Sequence, residues 1–440
     1  VDDYASKLGV TEEEDAKDTV KIIKNIKPNL IIIDHYSLSK RWESIIRPFV
    51  DKIMVIDDLA NRIHDCDFFL DQNFHNNNSK RYQGLLPTYC TKFLGPKYSL
   101  LRPEFYRQRK KTKPNSNDIK KIFVYFGGSD PDGLTIKALK ALSNEKLLFL
   151  KVDVVIGNNT FNENLIKKIV ESRVNTNLHI QSENISKIMA NADIAIGSGG
   201  VNTWERMSMG LPTLAISFAE NHDIVLKSLS LNNFLIYLGK SSEVNEDTIF
   251  KKIIHLINDI SLFKELKQKT RSLVNANGAQ LISEYLTGDL TKKKWKIMLA
   301  TISDCKLYLD WANDKFVRKN AFTKESITYK KHFNWFRKKL GNKKCIIYKV
   351  LVDNYPIGQV RFDIKSDIAF IDYSISRQFR GRKLGRKLLS EGLREFEKKY
   401  KYTLKGNVKT KNYASSNIFK SLGFSMKIVD DILVFTKRSQ

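Results

Sequence analysis

No stretch of the 440-residue sequence approaches the roughly eighteen consecutive apolar residues that a membrane-crossing helix requires, so no segment reads as a transmembrane span. No secretory signal is visible within the sequence. Cysteine is scarce: Cys66, Cys90, Cys305 and Cys345 are scattered without paired spacing, which argues against a structural zinc or a disulfide framework. The expected compartment is therefore the reducing cytoplasm. No repeat recurs at a fixed period. The chain opens on VDDYASKLGV, without an initiator methionine and already helical in pattern, so it is expected to begin inside a domain. Acidic residues run short toward the other end. From Thr291 to Gln440 there are 36 Lys and Arg against 13 Asp and Glu, a local excess of +23 within a total of +27. That imbalance fits nucleic acid, an acidic membrane surface or small phosphorylated ligands, and equally a lysine-rich solvated surface.

The length allows two or three domains, each with an ordinary core. In the first segment the apolar run LIIID, the helical SKRWESIIRPFV, the strand-like IMVID and the short DFFLDQN alternate as a parallel α/β sheet would. Residues Arg107 to Asn117, RQRKKTKPNSN, carry charge, Pro and Asn but no apolar face, and read as a linker. The second segment alternates strands and helices again, through KIFVYFGGSDPDG, LFLKVDVVIG, ADIAIGSGG and LPTLAIS. The third opens with WKIMLAT and continues with IIYKVLVD, PIGQVRFDI and IAFIDYSI, which pattern as antiparallel strands. The expected division is 1–112, 118–288 and 295–440.

In the second segment the chemistry sits at strand ends. Gly127, Gly128, Ser129 and Asp130 follow a buried strand, where glycines let backbone amides approach a diphosphate and the next helix start favours an anion. IAIGSGGVNTWERMSMGLP repeats the device, with Ser198, Gly199 and Gly200 in the turn and Glu205 a helical turn inside. A carboxylate there can accept both hydroxyls of a ribose, or be an ordinary solvated helix residue. Asn221 and His222, in AENH, follow another strand end and are expected to line the same crevice. Together these turns read as a nucleoside-diphosphate site. His64, His75, His179, His255 and His332 lack partners at metal-ligand spacing, and no metal is expected.

IIIDHYSL, IDDLANRIHDCDFFLDQN, FLGPKYSLLRPEFY, YFGGSD and IGSGGVNTWERMSMGLPTLAISFAENH, spread over Asp2 to Tyr285, resemble the UDP-sugar hydrolases of pseudaminic acid biosynthesis, which are similar in fold to GT-B glycosyltransferases. The resemblance implies two Rossmann-like halves, the sugar between them, UDP on the second, and water attacking the anomeric carbon. It implies that Asp34, His35 and Tyr36 face the sugar and that Gly128, Ser129, Ser198, Gly199, Thr203 and Glu205 help hold UDP. His35, just after a buried strand, suits a proton-transfer role because an imidazole titrates near neutrality, or it bonds structurally beside Asp34. Asp57 and Asp58 can orient groups in the cleft or simply start a loop. The family's G-x-G-H loop does not occur in this sequence, so either a first strand and loop precede Val1 or this half is inactive as written.

The stretch Gln378 to Leu389, QFRGRKLGRKLL, follows the strand-like AFIDYSI and precedes an amphipathic helix, an arrangement that makes a phosphate site. It resembles the pyrophosphate-binding turn of the GNAT N-acyltransferases, Q/R-x-x-G-x-G/A. Gln378 and Gly381 match, Lys383 stands where a second small residue is usual, and Gly385 follows two positions later. Amides from Arg380 through Gly385, with the cations of Arg380, Arg382 and Lys383, would cradle the diphosphate of acetyl-CoA. NYASSNIFKSLGF, from Asn412 to Phe424, resembles the family's later helix, with Asn417 toward the pantetheine arm and Asn412 also assigned to acetyl-CoA. The usual general acid, a Tyr four residues before the Gly of LGF, is Phe419 here, leaving Tyr413 as a substitute. Asp372 can act as base, directly or through water, or be an ordinary strand carboxylate.

The two resemblances imply one route: an acetyltransferase adds the N4 acetyl group to a UDP-4-amino-4,6-dideoxy sugar and the hydrolase releases UDP. The expected partners are a UDP-amino sugar and acetyl-CoA, with neither nucleic acid nor membrane. A GT-B glycosyltransferase fused to an acetyltransferase, and a nucleic-acid-binding module in the basic C-terminal third, are the competing expectations.

Overall fold

The computed structural model describes residues 7–111, 118–321, 323 and 325–438, without the side chains of Ser79, Glu220 and Asn221. Strands form where apolar residues run or alternate, and they gather into three sheets. The first holds β1 (Leu30–Ile33), β2 (Lys52–Ile56), β3 (Phe68–Asp71) and β4 (Thr91–Leu94) in that order, with β1 and β2 parallel. The second holds β5 (Lys121–Tyr125), β6 (Lys151–Ile156), β7 (Thr176–Ile180), β8 (Ile194–Ser198), β9 (Thr213–Ser217) and β10 (Ile236–Lys240) in the order β10-β9-β8-β5-β6-β7. All its pairings are parallel. β8 and β9 are buried from end to end, as strands covered on both faces must be. The order reverses direction around β5 and β8, which places the ends of these two strands at a topological switch, the usual ligand crevice of such sheets.

The third sheet is mixed. β11 (Trp295–Leu299), β12 (Cys345–Val352), β13 (Tyr355–Lys365) and β14 (Ile368–Ile375) are antiparallel in turn. β14 then pairs in parallel with β15 (Thr403–Lys409), and β17 (Ile432–Arg438) with β16 (Ser425–Val429) completes the sheet. The parallel pair holds only from Ile368↔Thr403 to Ile371↔Gly406, although β14 runs on to Ile375 and β15 to Lys409. Beyond that point the two strands splay.

The chain divides into two compact units. One comprises Val1–Phe69, Gln83–Lys92 and Glu284–Gln440, the other Leu70–Tyr82 and Phe93–Ser283. The architecture is α/β, Rossmann-like parallel sheets followed by a GNAT-like sheet. The expected linker is corrected in part: Arg107 to Lys111 form the end of the Pro103–Lys111 helix, and 112–117 lie outside the described residues. The polar run is helical because its anchors are few but firm. Phe105 is fully buried, and the Arg109 guanidinium donates to the carbonyls of Ser208 and Arg271.

Candidate functional sites

The splay between β14 and β15 opens a cleft of roughly 750 Å³, a volume that suits a small ligand or cofactor. Asp372 to Ile375 line one wall, Asn407 to Lys409 the other, and the turn before the Gly385–Glu397 helix closes one end. Gly381 in that turn has φ of +74°, and Lys383 at φ of +56° takes the left-handed conformation that a second glycine would hold. The helix start carries no side-chain cap, so its amides and dipole face the cleft unopposed. Gly385 lets the helix start pack closely, since a Cβ there would stand 2.5 Å from Ile418 Cδ1 and would force that side chain to shift.

The structure sorts the predicted cofactor residues. Arg380, Gly381, Lys383, Gly385 and Asn412 line the cleft. Arg380 is already engaged, paired with Asp314 at 2.7 Å and bonded to the Ile375 carbonyl at 3.0 Å. Asn412 caps the Tyr413–Ser421 helix by accepting from the Ser415 amide at 3.2 Å. Gln378 is fully buried, accepts from Ser376 Oγ at 2.6 Å and donates to the Tyr89 carbonyl, so its amide side chain shapes the turn. Arg382 points away, to the carbonyls of Tyr285 and Gly288. Asn417 is exposed and Tyr413 is 73% exposed, and neither is among the lining residues.

Consecutive residues of a strand face opposite ways, so β14 contributes different chemistry to its two sides. Asp372 accepts from Gln359 Nε2 at 3.0 Å and pairs with Arg361 at 3.5 Å, while the Arg361 guanidinium lies 5.2 Å from the Trp335 ring centroid. Tyr373 turns to the other side, edge-on to Phe419. His332, buried on the Tyr329–Leu340 helix and stacked on Phe336, also lines the cleft. Trp335, Arg361, His332 and Tyr373 escaped the sequence because only the folded sheet collects them.

Burial holds the His332 imidazole below its ordinary value of 6.5, against smaller opposing effects of the Cys305 backbone and Asp310. A histidine buried in its neutral form contributes stability that is fully present above the ordinary value and lost as pH falls through the lowered one. His332→Gln is therefore expected to flatten the acid side of the stability profile, read as urea midpoints between pH 8 and pH 5. An unchanged acid limb would remove His332 as its source.

In the other unit, the ends of β5 and β8 are tied by Ser198 Oγ donating to the Phe126 carbonyl at 3.2 Å. His222 packs on the Ser198–Gly200 turn: a Cβ on Gly199 would stand 2.7 Å from its Cβ. The Val201–Ser208 helix starts at Gly200 with no side-chain cap, leaving the amide array of an anion site. The turn at Gly127 to Asp130 differs from expectation. Asp130 is buried and accepts from the Leu134 and Thr135 amides at 2.9 and 2.8 Å, so the protein's own carboxylate already caps that helix. Gly127 at φ of +100° remains beside Ser198's carbonyl partner, and Ser129's carbonyl accepts from the Phe161 amide. Asn221 sits in the Glu220–Leu231 helix with its side chain outside the described residues.

Thr203 and Glu205 lie buried on the Val201–Ser208 helix. Burial pushes the Glu205 carboxyl up, eased by Arg102 at 3.6 Å and by Arg206. Arg206, wholly buried and lowered by that burial to about 10, donates to the Ser198 carbonyl and to Thr203 Oγ1 at 3.3 Å, which pins the turn from beneath. No local residue pattern marks Arg206 for this role.

The first-segment residues stand in the unit that contains the cleft sheet. Asp34 and His35 are exposed, His35 Nδ1 accepts from the Ser37 amide at 3.2 Å, and Tyr36 Oη donates to Asp58 at 2.8 Å. Asp57 is buried and bonded by Arg62 and by the Leu59 amide. Among the described residues no group of His, Cys, Asp and Glu has the arrangement of a metal site, and no helix is long and apolar enough to cross a membrane.

A parallel sheet with glycine turns at its switch point, followed by a mixed sheet splayed between two strands, defines an enzyme that joins a nucleotide-binding α/β fold to an acyltransferase. The family described as "Acetyltransferase (GNAT) family" matches residues 306–424. The chain is 30% identical over 213 residues to the UDP-2,4-diacetamido-2,4,6-trideoxy-beta-L-altropyranose hydrolase of Campylobacter jejuni, covering 48% of this chain and 74% of that one. The chain belongs to that hydrolase's family, fused to a GNAT domain. It is also 25% identical over 442 residues, 93% of this chain and 84% of the other, to the uncharacterized protein MJ1062 of Methanocaldococcus jannaschii. The spore coat polysaccharide biosynthesis protein SpsG of Bacillus subtilis is 25% identical over 190 residues, 42% of this chain and 54% of that protein.

Proposed function

We propose that the chain is a bifunctional cytoplasmic enzyme of nonulosonic acid synthesis, of the pseudaminic type. It would use acetyl-CoA to acetylate the 4-amino group of a UDP-4-amino-4,6-dideoxy-N-acetylhexosamine and would release the product sugar from UDP by hydrolysis. The observation that carries the reading is the splay of β14 from β15 beside the uncapped start of the Gly385–Glu397 helix. Two strands that stop pairing leave backbone donors and acceptors, which the amides of a pantetheine arm can satisfy as an added strand would. The helix start and the left-handed turn then receive the diphosphate.

The hydrolase half of the proposal rests on the kinship with the Campylobacter enzyme and on the second glycine turn. The domains are taken as 1–112, 118–288 and 295–440, a division with GT-B halves in the first two. Gly127, Gly128, Ser129, Ser198, Gly199, Thr203, Glu205, Asn221 and His222 are assigned to UDP. Asp34, His35 and Tyr36 are assigned to the sugar. Asp372 is assigned as the base of acetyl transfer. Because Gln378 bonds Tyr89 and Phe68 packs edge-on to Phe379, the turn is buttressed from outside the third segment, and tests use the full chain.

The acetyltransferase reading is tested by following CoA thiol release from acetyl-CoA in the presence of the UDP-amino sugar. Release that requires the sugar supports it, and sugar-independent or absent release contradicts it. For the nucleotide site, Glu205→Gln keeps the shape of the buried side chain and removes its charge, so the expected loss is of UDP affinity, about 1.5 to 3 kcal/mol, the range for hydrogen bonds to a charged group. Calorimetry giving the parent affinity would take the carboxylate out of the site.

A further inference from the structure

Acetyl transfer moves a proton as well as a carbon. The amine nitrogen attacks the thioester carbonyl, the C–N bond forms, the C–S bond breaks, the nitrogen gives up one proton and the departing sulfur takes one. The Tyr413–Ser421 helix offers no donor from Phe419. That ring is pressed into the floor of the splay, where a Cβ on Gly406 would lie 2.4 Å from it, and it stacks on Phe435.

β14 supplies what the helix lacks. Tyr373 pairs with Val360 of β13 but lies beyond the last β14 residue that pairs with β15, and it lines the cleft. Its ring meets Phe419 edge-on, with centroids 5.9 Å apart and planes at 73°. Its hydroxyl is buried and meets no partner at good hydrogen-bond geometry, although Ser415 on the facing helix is near enough to favour its charged form. A buried phenol oxygen without a partner is costly unless something arrives to accept from it. The side that Tyr373 faces is also the side of the phosphate turn, since Gly385 packs against Ile375, two residues on along the same strand. Asp372 projects to the opposite side, among Gln359, Arg361 and, beyond it, Trp335. Neighbouring residues on one strand therefore address the two reactants separately, a donor toward the cofactor and a carboxylate toward the amine.

Resting on the acetyltransferase reading, we propose that Tyr373 is the catalytic acid, its phenol donating a proton to the CoA sulfur as the C–S bond breaks. The amine's proton leaves on the Asp372 side, and the phenolate is reprotonated from water when CoA departs. Burial pushes the phenol up to about 12, with Ser415 acting against the shift, so the group stays protonated through the neutral range and keeps its proton until the sulfur needs it.

The test compares the full chain with Tyr373→Phe, a change that keeps the ring on Phe419. Acetyl-CoA affinity by calorimetry should stay within about twofold, while the rate constant for acetyl transfer should fall about 100-fold, the scale of losing one acid. The thiol of bound CoA, titrated by its thiolate absorbance, should rise by about one pH unit in the variant because a donor to the thiolate has gone. Affinity for desulfo-CoA, which has no sulfur, should not change. An unchanged transfer rate, or equal losses of CoA and desulfo-CoA affinity, would overturn the assignment of Tyr373 alone. The thiol titration needs no acceptor, so it decides even where the sugar is misassigned. Failure of the parent chain to bind CoA at all would overturn the acetyltransferase reading, and this inference with it.

Discussion

Gly381→Val should raise the dissociation constant for acetyl-CoA by about 100-fold in the full chain, about 2.7 kcal/mol. Two costs add. The residue sits at φ of +74°, where a β-branched side chain strains the backbone by about 1 to 3 kcal/mol. A Cβ there meets no protein atom within 4 Å, so the added side chain stands in the open cleft that the diphosphate would occupy. Calorimetry measures the loss directly. UDP affinity should be untouched, because the Ser198–Gly200 turn belongs to the other compact unit. Equal acetyl-CoA affinity in parent and variant would show that this turn does not hold the cofactor.

Gly199→Val should have the converse effect, a loss of UDP affinity of about 100-fold or more with acetyl-CoA binding kept. The new Cβ would fall 2.7 Å from His222 Cβ and 2.9 Å from its Cγ, distances at which side chain and turn must separate. Moving the turn also pulls on the Ser198 carbonyl that the buried Arg206 holds. The cost therefore spreads from one contact to the whole anion-facing start of the Val201–Ser208 helix. Retained UDP binding, measured alongside a melting temperature close to the parent's, would mean that the nucleotide lies elsewhere.

How far the sequence reveals this molecule depends on burial. β8 and β9, buried throughout, announce themselves as apolar runs, and IAFIDYSI alternates visibly because β14 is half covered. The strands that pass unnoticed are mostly edges. β4 ends the first sheet, β7 and β10 end the second, and β16 ends the third with all five residues exposed. Edge strands of this kind draw their order from a neighbour and carry little apolar pattern of their own. β17 is hidden differently, by a charged C-terminal end on a strand that pairs on both sides.

The sites divide along the same physical line. Glycine turns after strands are local features, so Gly127, Gly199 and Gly381 can be read from a few adjacent letters. Side chains that share a cleft from different elements leave no local trace. His332 comes from a helix, Arg361 from β13 and Tyr373 from β14, and only sheet register brings them to one place. Cationic letters mislead in the same way. Arg382 sits in the motif yet spends its donors on the carbonyls of Tyr285 and Gly288, a pairing about 95 residues away along the chain.

The central claim is that one chain both acetylates and releases a UDP-amino sugar. Mass spectrometry of the products formed by the full chain from UDP-4-amino-4,6-dideoxy-N-acetylhexosamine and acetyl-CoA tests it most directly. The account predicts a diacetamido sugar freed from UDP, appearing after an acetylated UDP-sugar intermediate, with CoA and UDP as the other products. Recovery of the UDP-amino sugar unacetylated, or transfer of the sugar to an acceptor other than water, would contradict it.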